Sequence, residues 1–275
     1  MSRTFLVTGA NTGIGRVTAE RLAAGGDRVF LACRSREKTE PVLAAIRAAG
    51  GVAEFLELDL GDLASVRRCA HEFLARGEPL SVLINNAGLA GKRGVTQQGF
   101  ELAFGTNHLG HFLLTQLLLP KLRETPGARI VNVSSKAHYD AKGGIDFEAV
   151  RRSTPSTTGL AEYAVSKLAN VLFTKELARR ERGAVHSYAL HPGVIASDAW
   201  RQVPWGLRHV IKLFMKSNDE GAKTTLHCAT SEAVKSDDGR YYDECREKKP
   251  SPLADDPALA LRLWEHSERW CAEPN

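Results

Sequence analysis

Short apolar runs alternate along this chain with longer runs in which apolar residues recur every three or four positions. The short runs predict strands at Thr4–Val7, Arg28–Cys33, Val52–Leu58, Leu80–Ile84, Arg129–Val133, Ala184–Leu190 and Gly239–Tyr242. The longer runs predict helices over Arg16–Ala24, Glu37–Ala49, Leu102–Leu122, 160–182, Ala222–Glu232 and Pro257–Trp270, with another starting near Asp62. Gly50-Gly51 is a natural helix stop. Residues 137–160 are polar and irregular, with Gly143-Gly144 and Pro155, and predict an extended loop with one helical turn. Strand–helix alternation in units of about thirty residues specifies an α/β fold: a doubly wound, mostly parallel seven-stranded sheet with helices on both faces. No repeat, low-complexity stretch or linker interrupts the pattern, so residues 1–275 form a single domain.

Composition narrows the class. Hydrophobic residues make up 43% and charged residues 25%, the balance of a globular protein. The net charge is +5, but the 37 Lys and Arg residues are spread without a polybasic run, which argues against nucleic acid as a partner. Five cysteines form no Cys-x-x-Cys pair and predict reduced thiols. No apolar run approaches ~18 residues, so no integral membrane segment is expected, and the expectation is a cytoplasmic protein. His108 and His111 lie three apart with no carboxylate or cysteine at ligand spacing, and no metal site is expected.

Candidate chemistry falls at strand ends. The first strand runs into Gly9, Asn11, Thr12, Gly13, Ile14, Gly15 and Arg16, a Gly-x-x-x-Gly-x-Gly turn opening a helix, where free N–H groups favour a pyrophosphate. The second strand ends in Arg34 with no acid nearby; an arginine there, with Arg16, accommodates a ribose 2′-phosphate and favours NADP(H), unless Arg34 and Arg36 are only solvated charges. Asp59 closes the third strand and either meets an adenine amino group or caps the next helix. The fourth strand leads into Asn85-Asn86-Ala87-Gly88. Asn107 lies among leucines, where it is costly unless fully hydrogen-bonded. Ser134 and Ser135 sit at the end of the fifth strand, where ligands bind in open sheets. Tyr163 and Lys167 stand one helical turn apart, so the ammonium favours the phenolate and makes the tyrosine an acid–base candidate. The amphipathic stretch 198–216, with Trp200, Trp205, Phe214 and Met215, predicts a lid over an apolar substrate, or else a peripheral membrane contact.

Taken in order, Thr8-Gly9-x-x-x-Gly13-Ile14-Gly15, Asn85-Asn86-Ala87-Gly88, Ser135 with Tyr163 and Lys167, and Pro192-Gly193 resemble the short-chain dehydrogenase/reductase family across the whole chain. Thr106 to Phe112, Gly239 to Tyr242 and Ser251 to Ala254 resemble its retinol-dehydrogenase-like branch. The resemblance implies a catalytic set in which Tyr163 moves the proton, Ser135 holds the carbonyl oxygen, Lys167 lowers the phenol pKa and binds ribose, and Asn107 kinks its helix and is satisfied through a water leading to Lys167. Ser134 is the alternative serine. It implies that Gly9, Gly13, Ile14 and Gly15 cradle the pyrophosphate and that Asp59 and Leu60 meet adenine. Asn86, Ala87 and Gly88 would lie along the adenosine side, and Pro192, Gly193, Val194 and Ser197 by the nicotinamide. Residues 1–90 would then be mainly the dinucleotide-binding half, 91–197 the catalytic half, 198–217 the substrate lid and 218–275 the last helices and strand.

The expected activity is interconversion of a hydrophobic aldehyde or ketone and its alcohol with NADP(H). Rival readings are a dinucleotide-sensing regulatory protein that has lost the chemistry and a lipid-surface retinoid or steroid dehydrogenase. Ser135 and Tyr163 are 28 residues apart, wider than in shorter members, so residues 140–158 are expected at the substrate entrance. The helices 102–122 and 160–182 commonly pair across a homodimer in this family. The first strand starts so early that the apolar anchor of membrane-bound retinol dehydrogenases is not expected.

Overall fold

The computed structural model describes residues 2–193 and 217–273. Strands β1 (Thr4–Thr8), β2 (Arg28–Cys33), β3 (Val52–Glu57), β4 (Val82–Asn85), β5 (Arg129–Val133), β6 (His186–His191), β7 (Arg240–Asp243) and β8 (Arg246–Glu247) form one sheet in the order β3-β2-β1-β4-β5-β6-β7-β8. Neighbours pair in parallel from β3 through β7. The order reverses between β1 and β4, and that reversal opens a crevice at the carboxyl ends of the strands.

The sequence predicts seven strands, and the sheet has eight among the described residues. The extra strand, β8, is two residues long and antiparallel to β7. Arg-Glu carries no apolar alternation, and the turn before it is made by Glu244 and Cys245, both left-handed at φ 52° and 59°. A tight hairpin needs positive φ at both central residues, and asparagine and glycine are its usual signal. Neither occurs at this turn.

Helices α1 (Gly13–Ala24), α2 (Arg36–Ala48), α3 (Leu63–Ala75), α4 (Leu102–Phe104), α5 (Gly110–Arg123), α6 (Leu160–Glu181), α7 (Asn218–Thr230) and α8 (Pro257–Ala272) cover both faces. Side chains alternate across the strands as the pleat requires. Phe5 and Val7 of β1 enter the core beneath α1 and α2, while Leu6 enters the larger core shared by α3, α5, α6 and α8. Helix α1 starts three residues before its predicted first residue; Gly13-Ile14-Gly15 has poor intrinsic helix propensity, so the pattern alone does not show this start.

Two further differences bear on the site. The predicted helix Leu102–Leu122 is broken at Gly105–Leu109 by one π-helical turn, in which Gly110 N–H reaches back to the Gly105 carbonyl. Such turns widen a helix by one residue and free a carbonyl from the regular ladder. The stretch 137–160, expected as an extended loop with one helical turn, carries two short 3₁₀ turns at Lys136–Asp140 and Ala149–Arg151, and its Ala141, Ile145, Phe147 and Val150 join the core. Phe147 stacks on His266 of α8 at 4.2 Å between ring centroids. Helix α8 also lays Trp264 against Phe112 and Phe173, at 5.1 and 5.8 Å, covering α5 and α6 with residues of the same chain. Val194, Ser197 and the proposed lid lie outside the described residues.

Candidate functional site

The glycine-rich turn follows β1 directly. Gly9 has φ +66°, and a side chain there would press on Ala87 at 2.9 Å. Gly15 is tighter still: a Cβ would meet Asn86 Nδ2 at 2.4 Å and the Gly9 carbonyl at 2.5 Å. Gly13, at φ +56°, faces open space. The turn is therefore packed on its inner side and open on its outer side. Thr12, the residue before α1, is extended and makes no side-chain cap, although Ser35, Asp62 and Asp256 each cap the helix that follows them. The first N–H groups of α1 are left for an anion, and its first turn holds no acidic side chain to compete. These residues fit the phosphates of a dinucleotide.

Around this turn the other cofactor candidates divide. Arg16 pairs with Glu20 at 2.7 Å, and Arg36 lies over the Phe55 ring at 4.5 Å. Arg34 is exposed at the end of β2, beside the turn. Asp59 accepts from Gly61 N–H at 2.9 Å, and Asp62 is the residue that caps α3, so the capping alternative for Asp59 falls away. Asn86 donates to the Thr8 carbonyl at 2.8 Å, fastening the end of β4 to the end of β1.

Ser135, Tyr163 and Lys167 meet at the carboxyl end of β5. The Ser135 hydroxyl hydrogen-bonds the Tyr163 phenol. Ser134 points the other way and donates to the Lys167 carbonyl at 2.7 Å. Lys167 Nζ donates to the Val133 carbonyl at 2.9 Å and lies 5.5 Å from the centre of the Tyr163 ring. Burial lowers the Lys167 pKa to about 8. It also holds the Tyr163 phenol above its ordinary value, against the lowering effect of the Ser135 hydrogen bond. The sequence predicted a phenol lowered by Lys167. Here the ammonium donates to the Val133 carbonyl, and desolvation of the phenol outweighs the lowering effect of the Ser135 hydrogen bond. Gly88 sits against this group, where an added Cβ would come within 3.3 Å of Lys167 Nζ.

Asn107 occupies the middle of the π-turn and is fully buried. Its amide donates to the Leu89 carbonyl at 2.9 Å and to Ser166 Oγ at 3.0 Å, and its Oδ1 accepts from Leu89 N–H at 2.9 Å. Protein groups thus satisfy the side chain, where a water was expected to do so. Its backbone carbonyl lies 2.9 Å from His111 Nδ1.

Sequence reasoning missed three histidine and threonine contacts. The sequence offers His111 as a rejected metal ligand and as part of the Thr106–Phe112 segment, yet its Nε2 lies 2.9 Å from Thr8 Oγ1. His138 donates from Nδ1 to the Ser135 carbonyl at 2.7 Å, while its Nε2 accepts from Ser251 N–H at 3.1 Å. A signal was available for His111, because a polar ring on the apolar face of a leucine-rich helix must find buried partners. Nothing local links His138 to Ser251, 113 positions away.

The family model for short chain dehydrogenase matches residues 3–205. Retinol dehydrogenase 11 of Homo sapiens is 45% identical over 272 residues, covering 96% of this chain and 84% of its own. Dehydrogenase/reductase SDR family member 13 of Bos taurus is 44% identical, covering 97% and 72%. An uncharacterized protein from Mycobacterium Paratuberculosis superposes with a TM-score of 0.77 at 37% identity, covering 98% and 93%. A protein from Beutenbergia cavernae with NADP bound at low occupancy superposes at 0.73 with 26% identity, covering 88% and 94%. The chain belongs to the short chain dehydrogenase family of oxidoreductases, in its retinol-dehydrogenase-like branch.

Proposed function

We propose that this protein is an NADP(H)-dependent oxidoreductase that interconverts a hydrophobic aldehyde or ketone and its alcohol. The observation that carries the reading is the meeting of Ser135, Tyr163 and Lys167 at the strand ends beside the glycine turn. Nicotinamide, when bound, supplies hydride chemistry at the carbonyl carbon. The protein's own part is to hold the carbonyl oxygen and give it a proton. Ser135 donates a hydrogen bond to that oxygen, and Tyr163 transfers its phenolic proton to it. A half-buried phenol that stays protonated at neutral pH is in the form that carbonyl reduction needs. Lys167 has two N–H bonds beyond the one to Val133, suited to ribose hydroxyls, and its charge steadies the phenolate left behind.

Exposed Arg34 and the absence of an acid at the end of β2 support NADP(H) over NAD(H). Relatives named retinol dehydrogenases at 45% identity support an apolar alcohol or carbonyl as substrate. Among the described residues no helix is long and apolar enough to cross a membrane.

Fluorescence titration with NADPH and NADH, then an absorbance assay over apolar aldehydes and ketones, tests the reading. NADPH is expected to bind more tightly and at least one carbonyl to turn over. Tyr163→Phe should lower kcat by ~10²–10⁴-fold with NADPH affinity nearly unchanged. Native turnover in that variant would refute the mechanism. Tight binding with no turnover across the panel would favour a dinucleotide sensor.

A further inference from the structure

Asn107, His111, Thr8 and the Asn86–Ala87 peptide form one hydrogen-bonded chain running from the π-turn to the base of the glycine loop. The Asn107 carbonyl can only accept, so His111 Nδ1, 2.9 Å away, carries the hydrogen. The ring is fully enclosed and burial draws its pKa down to about 4, so it is neutral and Nε2 is an acceptor. Thr8 therefore gives its one hydroxyl proton to Nε2 at 2.9 Å, in preference to the Ile84 carbonyl at 3.4 Å. That leaves the two lone pairs of Thr8 Oγ1 for Ala87 N–H and for Asn86 N–H, each at 2.9 Å, the latter shared with the Ile84 carbonyl at 3.0 Å. Reversing the ring's tautomer would place two donors' worth of hydrogen on the wrong atoms: the Asn107 carbonyl would lose its partner, and Thr8 Oγ1 would face three N–H groups with two lone pairs.

We propose that His111 is a positioning residue: through Thr8 it sets the Asn86–Ala87 peptide that borders the cofactor, and through the Asn107 carbonyl it sets the turn packed against Gly88 and Lys167. The proposal rests on reading Ser135, Tyr163 and Lys167 as the catalytic set. His111 touches neither substrate nor cofactor. Its neighbour His108 faces the opposite way, with Nε2 2.9 Å from Ser267 Oγ of α8, and has no part in this chain.

The test compares His111→Phe, His111→Gln, Thr8→Val and Thr8→Ser by NADPH titration, kcat, carbonyl KM and urea midpoint. His111→Phe and Thr8→Val should each weaken NADPH binding and lower kcat by about 10-fold, through groups left unpaired in the interior, with carbonyl KM nearly unchanged. Their combination should be no worse than the worse single change, because either one breaks the same chain. Thr8→Ser should restore native values, and His111→Gln, which can still meet Thr8, should lose less NADPH affinity than His111→Phe. If His111→Phe does not fold, His111→Gln and Thr8→Val carry the comparison. Lower urea midpoints with native NADPH affinity and kcat would overturn the proposal, as would multiplicative effects in the double variant. Tyr163→Phe, run alongside, keeps the two readings apart. If it retains turnover the catalytic set is wrong, whereas its loss of turnover beside a native His111→Phe would reject only the positioning role.

Discussion

The start of α1 and the inner face of α8 treat polar and apolar groups in opposite ways. At α1 the cap is absent, Gly13 opens onto free space and no acidic side chain meets the first turn. At α8 the cap is double, with Asp256 accepting from both Ala258 and Leu259, and Trp264 closes the seam against Phe112 of α5 and Phe173 of α6. Both helices flank the same sheet, but the first leaves interactions open for a ligand and the last completes them within the chain. Binding and stability should therefore respond to different substitutions.

The sharpest separation is expected on the sealed side. Trp264→Ala removes a ring that is 4% exposed and should cost about 3–5 kcal/mol of unfolding free energy, read from urea denaturation, with NADPH affinity retained in the folded fraction. A loss under 1 kcal/mol would mean that the α8 seam is not the stabilising contact described here.

Lys167 stands between the two regimes, buried like a core residue yet aimed at the site. Its folded pKa of about 8 lies below the ordinary lysine value of 10.5, so across that window the unfolded chain holds the extra proton. The sign follows: burying the charged form is a penalty below pH 8, and stability from this group rises with pH until the unfolded lysine also titrates. The gain approaches about 3 kcal/mol by pH 10 and should vanish in Lys167→Met. Parallel stability–pH curves for the two proteins would show that the ammonium is better compensated than its burial implies.

The smallest expected effect belongs to the open side. Arg34→Asp should weaken NADPH by about 1.5–3 kcal/mol, leave NADH unharmed and shift the urea midpoint little. Equal losses for both cofactors would remove Arg34 from the 2′-phosphate.

Legibility in the sequence divides along the same line. Parallel strands are covered on both faces and announce themselves as apolar runs, so β2 and β5 lie where the pattern put them, residue for residue. Gly9, Gly15 and Asn86 are neighbours in space, and the turn motif already implied it. The π-turn at Gly105–Leu109 left no trace in periodicity, because one added residue per turn barely disturbs a stretch apolar all round. The partners of His111 and His138 could not be named from the sequence, since Thr8 and Ser251 lie 103 and 113 positions away. Residues 140–158 are expected at the entrance from the wide Ser135–Tyr163 spacing alone, and that spacing gives no sign that Phe147 and Val150 anchor the segment to the core.

The α8 seam has one more consequence. One face of α5 and of α6 is met here by a helix joined covalently to them. An intramolecular partner is present at the effective concentration its tether imposes, whatever the bulk concentration of protein. Closure of this face therefore carries no dilution term: lowering the protein concentration leaves α8 seated, and the Asn107 turn behind it needs no second copy to be held in place.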